Sequence, residues 1–153
     1  MTLEVVLFSS NKTIGMAYRA LRQEYGIQVR AYSNLGEIQR YAMGLNDNKT
    51  RLIGMQVDPT IANTQRGVFE ETYALFANRE TQGSETYGLF FPGAYDDRFH
   101  LIPSQRKVDF DGFNARLKEM ARERNILSYK RTEEEPLVQV KTNIRAPLVL
   151  LSA

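Results

Sequence analysis

The chain of 153 residues has no cysteine and a single histidine, His100. The first absence excludes disulfides, thiolate zinc sites, iron–sulfur clusters and cysteine nucleophiles together, and the second excludes paired-histidine metal sites. No apolar stretch approaches the roughly 20 residues of a membrane span, and no basic leader opens the chain, since Glu4 interrupts its first apolar run. No glycine-rich phosphate pattern is present either; Gly15 stands alone after the first apolar run. Charge of neither sign dominates, because a net charge of +2 neither demands nor excludes a polyanionic partner. These absences set the expectation of a soluble cytoplasmic protein without a membrane segment or a metal centre. With 42% hydrophobic and 25% charged residues, the composition is that of one globular domain able to bury its own core.

What is there reads as alternating strands and helices. Val5-Val6-Leu7-Phe8 is an unbroken apolar run closed by Ser9-Ser10-Asn11-Lys12-Thr13, the pattern of a buried parallel strand feeding a crossover helix. Ile14, Ala17, Tyr18, Leu21 and Tyr25 then recur at helical spacing, with Ser10 or Asn11 as N-cap and Gly26 as the stop. Residues 27–32 alternate at period two, as expected of a strand near a sheet edge. Asn34 with Glu37 makes an approximate capping box for a helix through Leu35, Ile38, Tyr41, Ala42 and Leu45.

Residues 51–57 read as a third strand, halted by Asp58-Pro59, and one helix is expected from about Asn63 to Asn78. A fourth strand over 86–91 precedes turn chemistry at Pro92 to Asp97. Phe99-His100-Leu101-Ile102 reads as a short fifth strand, antiparallel to the fourth or joined to it irregularly, because no crossover helix fits between them. Asp109 or Asp111 caps a last helix that ends near Asn125.

Together these elements predict a three-layer α/β/α sandwich with a mostly parallel five-stranded sheet over residues 1–127. A β-prone extension follows over residues 128–153, where Pro136-Leu137-Val138-Gln139-Val140 and Pro147-Leu148-Val149-Leu150-Leu151 are each opened by proline. An exposed apolar terminus invites aggregation, so the extension is expected to pack on the domain or on a partner chain. No internal repeat or low-complexity tract is evident.

In open α/β sheets, ligands bind beyond the carboxyl ends of the strands where strand order reverses. That directs attention to Ser9, Ser10, Asn11, Lys12 and Thr13 after the first strand, to Asp58 after the third, to Tyr95 in the turn after the fourth, and to residues 105–107 near the fifth. Hydroxyls, an amide, a cation and the N–H groups of a helix start can hold a phosphate; the same residues also make a helix cap with an exposed lysine. Asp96 and Asp97 are adjacent with no general-acid partner at a defined spacing and read as a solvated turn. His100, flanked by Phe99 and Leu101, reads as a structural, hydrogen-bonded histidine, since no serine or acid can be assigned to it. Between Ser104 and Arg131 eight basic residues face four acidic ones. Glu119 and Glu123 share the exposed arc of that helix and no aromatic is interleaved, so a solvated face is favoured over nucleic-acid binding.

Two families are similar in these loops. Phe8 to Thr13 resembles the phosphate-binding loop of flavodoxin-like proteins, without that family's threonine-glycine-asparagine core, and Phe90 to Asp96 resembles its flavin-ring loop, with Tyr95 where an aromatic stacks. Asp58 and Lys107 look like the phosphoacceptor aspartate and the lysine of response-regulator receiver domains, and Lys107-Val108-Asp109-Phe110 is similar to that family's turn before the last helix. Receivers bind Mg²⁺ through carboxylates after the first strand, where this chain has Ser9, Ser10 and Asn11. The receiver resemblance therefore implies a degenerate receiver that is not phosphorylated in the usual way and acts by displaying a surface. The scarcity of candidate catalytic groups and the apolar extension set the leading expectation, a non-catalytic binding or regulatory module without a cofactor that acts through a protein partner or homo-oligomer by way of residues 136–151. The flavodoxin resemblance goes with the alternative, an FMN-binding protein or a nucleotide-handling enzyme, with Ser9 to Thr13 at the phosphate and Tyr95 at the ring.

Overall fold

The computed structural model describes residues 3–79, 83–91, 97–101, 106–126 and 137–138. Five strands, β1 (Leu3–Phe8), β2 (Gln28–Tyr32), β3 (Thr50–Gln56), β4 (Glu85–Phe90) and β5 (Lys107–Asp109), form one sheet in the order β2-β1-β3-β4-β5. Every pairing is parallel. This is the strand order of flavodoxin-like folds, and it reverses direction between β1 and β3. All six residues of β1 are buried, as a central strand covered on both faces requires.

Alternation along β1 divides the core. Leu3, Val5 and Leu7 face α1 (Lys12–Tyr25) and α5 (Phe110–Glu123), with Tyr18, Leu21, Phe113 and Leu117 in one apolar cluster. Val6 and Phe8 face α2 (Leu35–Met43), α3 (Pro59–Thr64) and α4 (Arg66–Asn78), with Ile38, Ile61, Phe69 and Phe76 in the other. Three layers result, as the hydrophobic pattern predicts. Gly26 ends α1 at φ 69°, where a side chain would be strained.

Two elements differ from the sequence expectation. The single helix expected over 63–78 is two, α3 and α4, parted at Gln65. Asp58-Pro59 begins α3 as well as ending the strand, because proline's fixed φ and missing N–H suit the first helical position. The fifth strand is residues 107–109, parallel to β4, and Phe99 and Leu101 lie outside any strand. Their apolar alternation has another origin. Phe99 packs on Phe69 with ring centroids 4.6 Å apart, and Leu101 fills the space left by the missing side chain of Gly88, so these two residues cover the sheet beside β4.

Gly54 has a comparable role on the other face. A β-carbon there would lie 2.6 Å from Leu89 Cδ1 and 2.9 Å from the Phe113 ring, so the glycine lets α5 approach β3 closely. Gly67, in α4, has open space around it. Gly54→Ala is expected to lower the free energy of unfolding in urea by about 1–3 kcal/mol through overpacking, whereas Gly67→Ala raises it by about 0.5–1 kcal/mol through helix propensity.

Candidate functional site

At the reversal of strand order, Ser9 follows β1 and Asp58 follows β3 closely, and the two loops touch. Ser10 Oγ donates to Asp58 Oδ2 at 3.2 Å. Ser9 is 2% exposed; its hydroxyl donates to Gln56 Oε1 at 2.5 Å and accepts from the Asn11 N–H at 3.1 Å, and its own N–H donates to the Tyr32 carbonyl. Asn11 Oδ1 accepts from Thr13 N at 2.9 Å, and Asp58 Oδ1 accepts from Ile61 N at 2.8 Å. Both side chains are N-caps. Lys12 and Thr13 are exposed on the first turn of α1.

The same device recurs along this rim. Asn34 accepts from Glu37 N at the start of α2, and Asp109 from Gly112 N at the start of α5. Lys107 shares a row with Gly88, Met55 and Phe8, the last residue of β1, and so stands three positions before Asp58 along the strand direction. Its Nζ donates to the Phe99 carbonyl at 3.4 Å. The residue nearest the rim in β5 is instead the cap Asp109.

Beside Ser9, a shallow depression of about 300 Å³ is lined by Lys12, Met16, Arg19, Ala31, Tyr32 and Ser33 among others. Arg19 Nη2 donates to the Ala31 carbonyl at 2.7 Å, which shields the edge strand β2. Tyr95, the stacking aromatic of the flavodoxin-like reading, lies outside the described residues, as do Pro92 to Asp96 and most of the extension. His100 is exposed rather than packed, and its backbone N–H donates to the Glu70 carboxylate. On α5, Arg116 is held by Glu85 at 2.5 Å and Glu119 at 2.6 Å, so part of the basic excess there is neutralised within the protein.

The opposite end of the sheet holds a cluster that the sequence reading missed. Glu4, its side chain 3% exposed, receives Arg51 Nε at 2.9 Å, Arg30 Nε at 3.2 Å and the Tyr41 hydroxyl. Arg51 in turn grips Asp47 with both terminal nitrogens, at 2.8 and 3.0 Å. Burial alone would raise the Glu4 pKa, but hydrogen bonds from Tyr41 and Arg51 and the charges of Arg51 and Lys49 hold it below the usual carboxylate range. Asp47 is lowered to about 2, chiefly by its hydrogen bonds from Arg51.

A cavity of about 240 Å³ adjoins this cluster, lined by Asp47, Lys49, Arg51, Phe76, Arg79 and Ser84 among others. Helices α2 and α4 direct their C-termini to this end, and Arg79 donates to the Leu45 carbonyl. Its cations thus answer carboxylates and helix-end carbonyls, an electrostatic setting that disfavours an added anion. The sequence did carry one signal: an acid inside the first apolar run and an arginine opening the third strand.

Among the described residues no group of three or more histidine, cysteine, aspartate or glutamate side chains is placed to hold a metal, and no helix is long and apolar enough to cross a membrane. Compared with models of known families and with curated proteins, the chain matches none.

Glu4→Leu takes the buried acceptor from Arg51 Nε and the Tyr41 hydroxyl while Asp47 still holds the Arg51 terminal nitrogens, so it is expected to cost about 1–3 kcal/mol of stability in denaturant unfolding. Both carboxylates titrate lower folded than unfolded. Their contribution is therefore full above the ordinary carboxylate pKa of about 4 and is lost as pH falls toward about 2. Denaturation midpoints should fall over that interval in the wild type and fall less in Glu4→Leu.

Proposed function

We propose that this chain is a non-catalytic binding or regulatory module, receiver-like in architecture, that engages another protein or a second copy of itself through residues 136–151. The observation that carries this reading is the inward use of the rim: Ser9, Asn11 and Asp58 bond to neighbouring backbone and side chains at the point where α/β proteins usually hold ligands. The Asp58 carboxylate beside Ser10 also opposes an anion there. Further support comes from the extension, whose described residues Leu137 and Val138 are buried on the domain and whose later stretch, 147–151, is apolar. A cytoplasmic setting goes with this reading.

One observation favours a second reading, a binder of FMN or a nucleotide. Lys12, in the first turn of α1, and Arg19, about two turns further along, both line the depression that Ser9 borders. Sedimentation velocity across a hundredfold dilution separates the two. The module reading expects a mass that rises with concentration, and loss of that rise when residues 147–151 are removed. A strictly monomeric chain whose melting temperature climbs with FMN or nucleotide would replace it with the second reading.

A further inference from the structure

The junction of α1 and α5 is built to receive a segment of main chain. Asn114, on α5 and 8% exposed, accepts the Tyr18 hydroxyl on its Oδ1, which fixes the orientation of its amide. The amide nitrogen then faces away from Tyr18 and donates to the Val138 carbonyl at 3.1 Å. Leu137 and Val138 join the apolar cluster of Tyr18, Phe110, Phe113 and Leu117. Recognition therefore uses two neighbouring apolar side chains and one backbone carbonyl, in a stretch that follows Pro136 in the sequence.

The same three residues occur again, as Pro147-Leu148-Val149. Whatever the seat offers to the first copy it offers to the second. Measured from Glu123 at the end of α5, Val138 lies 15 residues on and Val149 lies 26 residues on. Loop-closure entropy scales so slowly with length that the longer tether disfavours the second copy only about twofold. The flanks act in the other direction, since Ala146 and Leu150-Leu151 stand where the first copy has Glu135 and Gln139-Val140. A segment from another molecule at micromolar concentration competes against a tethered one at roughly millimolar effective concentration, a disadvantage of about a thousandfold.

We propose that the α1–α5 seat is a docking site for Leu-Val segments that follow a proline, and that Leu148-Val149 of the same chain is its second occupant, alternating with Leu137-Val138. This rests on the proposed function and supplies its regulation: docking of 136–138 leaves 147–151 available to a partner, and docking of 147–149 withdraws it.

The side-chain amide of Asn114, followed by NMR in the full-length chain at micromolar concentration, tests the proposal. Three variants are compared: Leu137→Asp with Val138→Asp, Leu148→Asp with Val149→Asp, and all four together, each with its backbone spectrum as the check on folding. With 137 and 138 changed, the amide should keep a docked-type shift, and with all four changed it should lose it. Loss of equal size in the first and third variants overturns the proposal. So does a docked-type shift that returns only as protein concentration is raised, which assigns the second occupant to another copy.

Should the first variant not fold, a peptide of residues 145–151 added to the wild-type chain serves instead. A shift confined to Asn114, Tyr18 and their neighbours is expected, and no shift at millimolar peptide is contrary. Sedimentation of the wild type is read separately, so failure of self-association is distinguishable from failure of the exchange.

Discussion

Among the described residues, each helix that follows a strand starts under an asparagine or aspartate folded back on its own first turn. Asn11, Asn34, Asp58 and Asp109 accept N–H groups from Thr13, Glu37, Ile61 and Gly112. A parallel sheet buried on both faces leaves the strand ends as the main places for polar side chains, and helix starts carry N–H groups that need acceptors. Along this rim the two requirements answer each other. A ligand is not required to satisfy them, and that is the physical basis for reading the chain as a module that presents a surface.

Strand β1 is held at both of its ends. At its start, Glu4 collects Arg51, Arg30 and Tyr41 from β3, β2 and α2; at its end, Ser9 bonds Gln56 and the next loop. Between these points every residue is buried. The two polar ends fix the register of β1 against its neighbours, since a shift by one residue would carry Glu4 and Ser9 into apolar surroundings. The α1–α5 face has a polar fixture of its own, Tyr18 with Asn114, which extends the core to the chain beyond the last helix.

Much of the fold was legible in the sequence because local and tertiary preferences agree. Strands 1 to 4, the caps at Asn11 and Asn34, the stop at Gly26 and the single-faced helices all carry short-range signals. The misreadings have tertiary causes. Phe99 and Leu101 alternate because they cover the sheet beside Gly88, and β5 is only three half-buried residues without an apolar run. The break at Gln65 left no mark because α4 starts without a side-chain cap. At the rim, residue types identified Ser9 to Thr13 and Asp58 as neighbours, but no local pattern shows that the side chains of Ser9, Ser10, Asn11 and Asp58 turn to one another and to the adjoining backbone. The Glu4 cluster needed the pairing of β1 with β3 and β2 before its charges could be seen to meet. The seat at Asn114 joins residues 96 positions apart in Tyr18 and Asn114, beyond any local pattern.

The account turns on whether the rim side chains serve the fold or a ligand. Residues kept for a ligand are often poorly matched to stability, and replacing them tends to raise it. Caps behave in the opposite way. The most direct measurement is the free energy of unfolding of Asp58→Ala and Asp58→Ser in urea. The account predicts a loss of about 1 kcal/mol for alanine and recovery of most of it with serine, which also caps. An alanine variant more stable than the wild type would contradict it and mark the rim as a binding site.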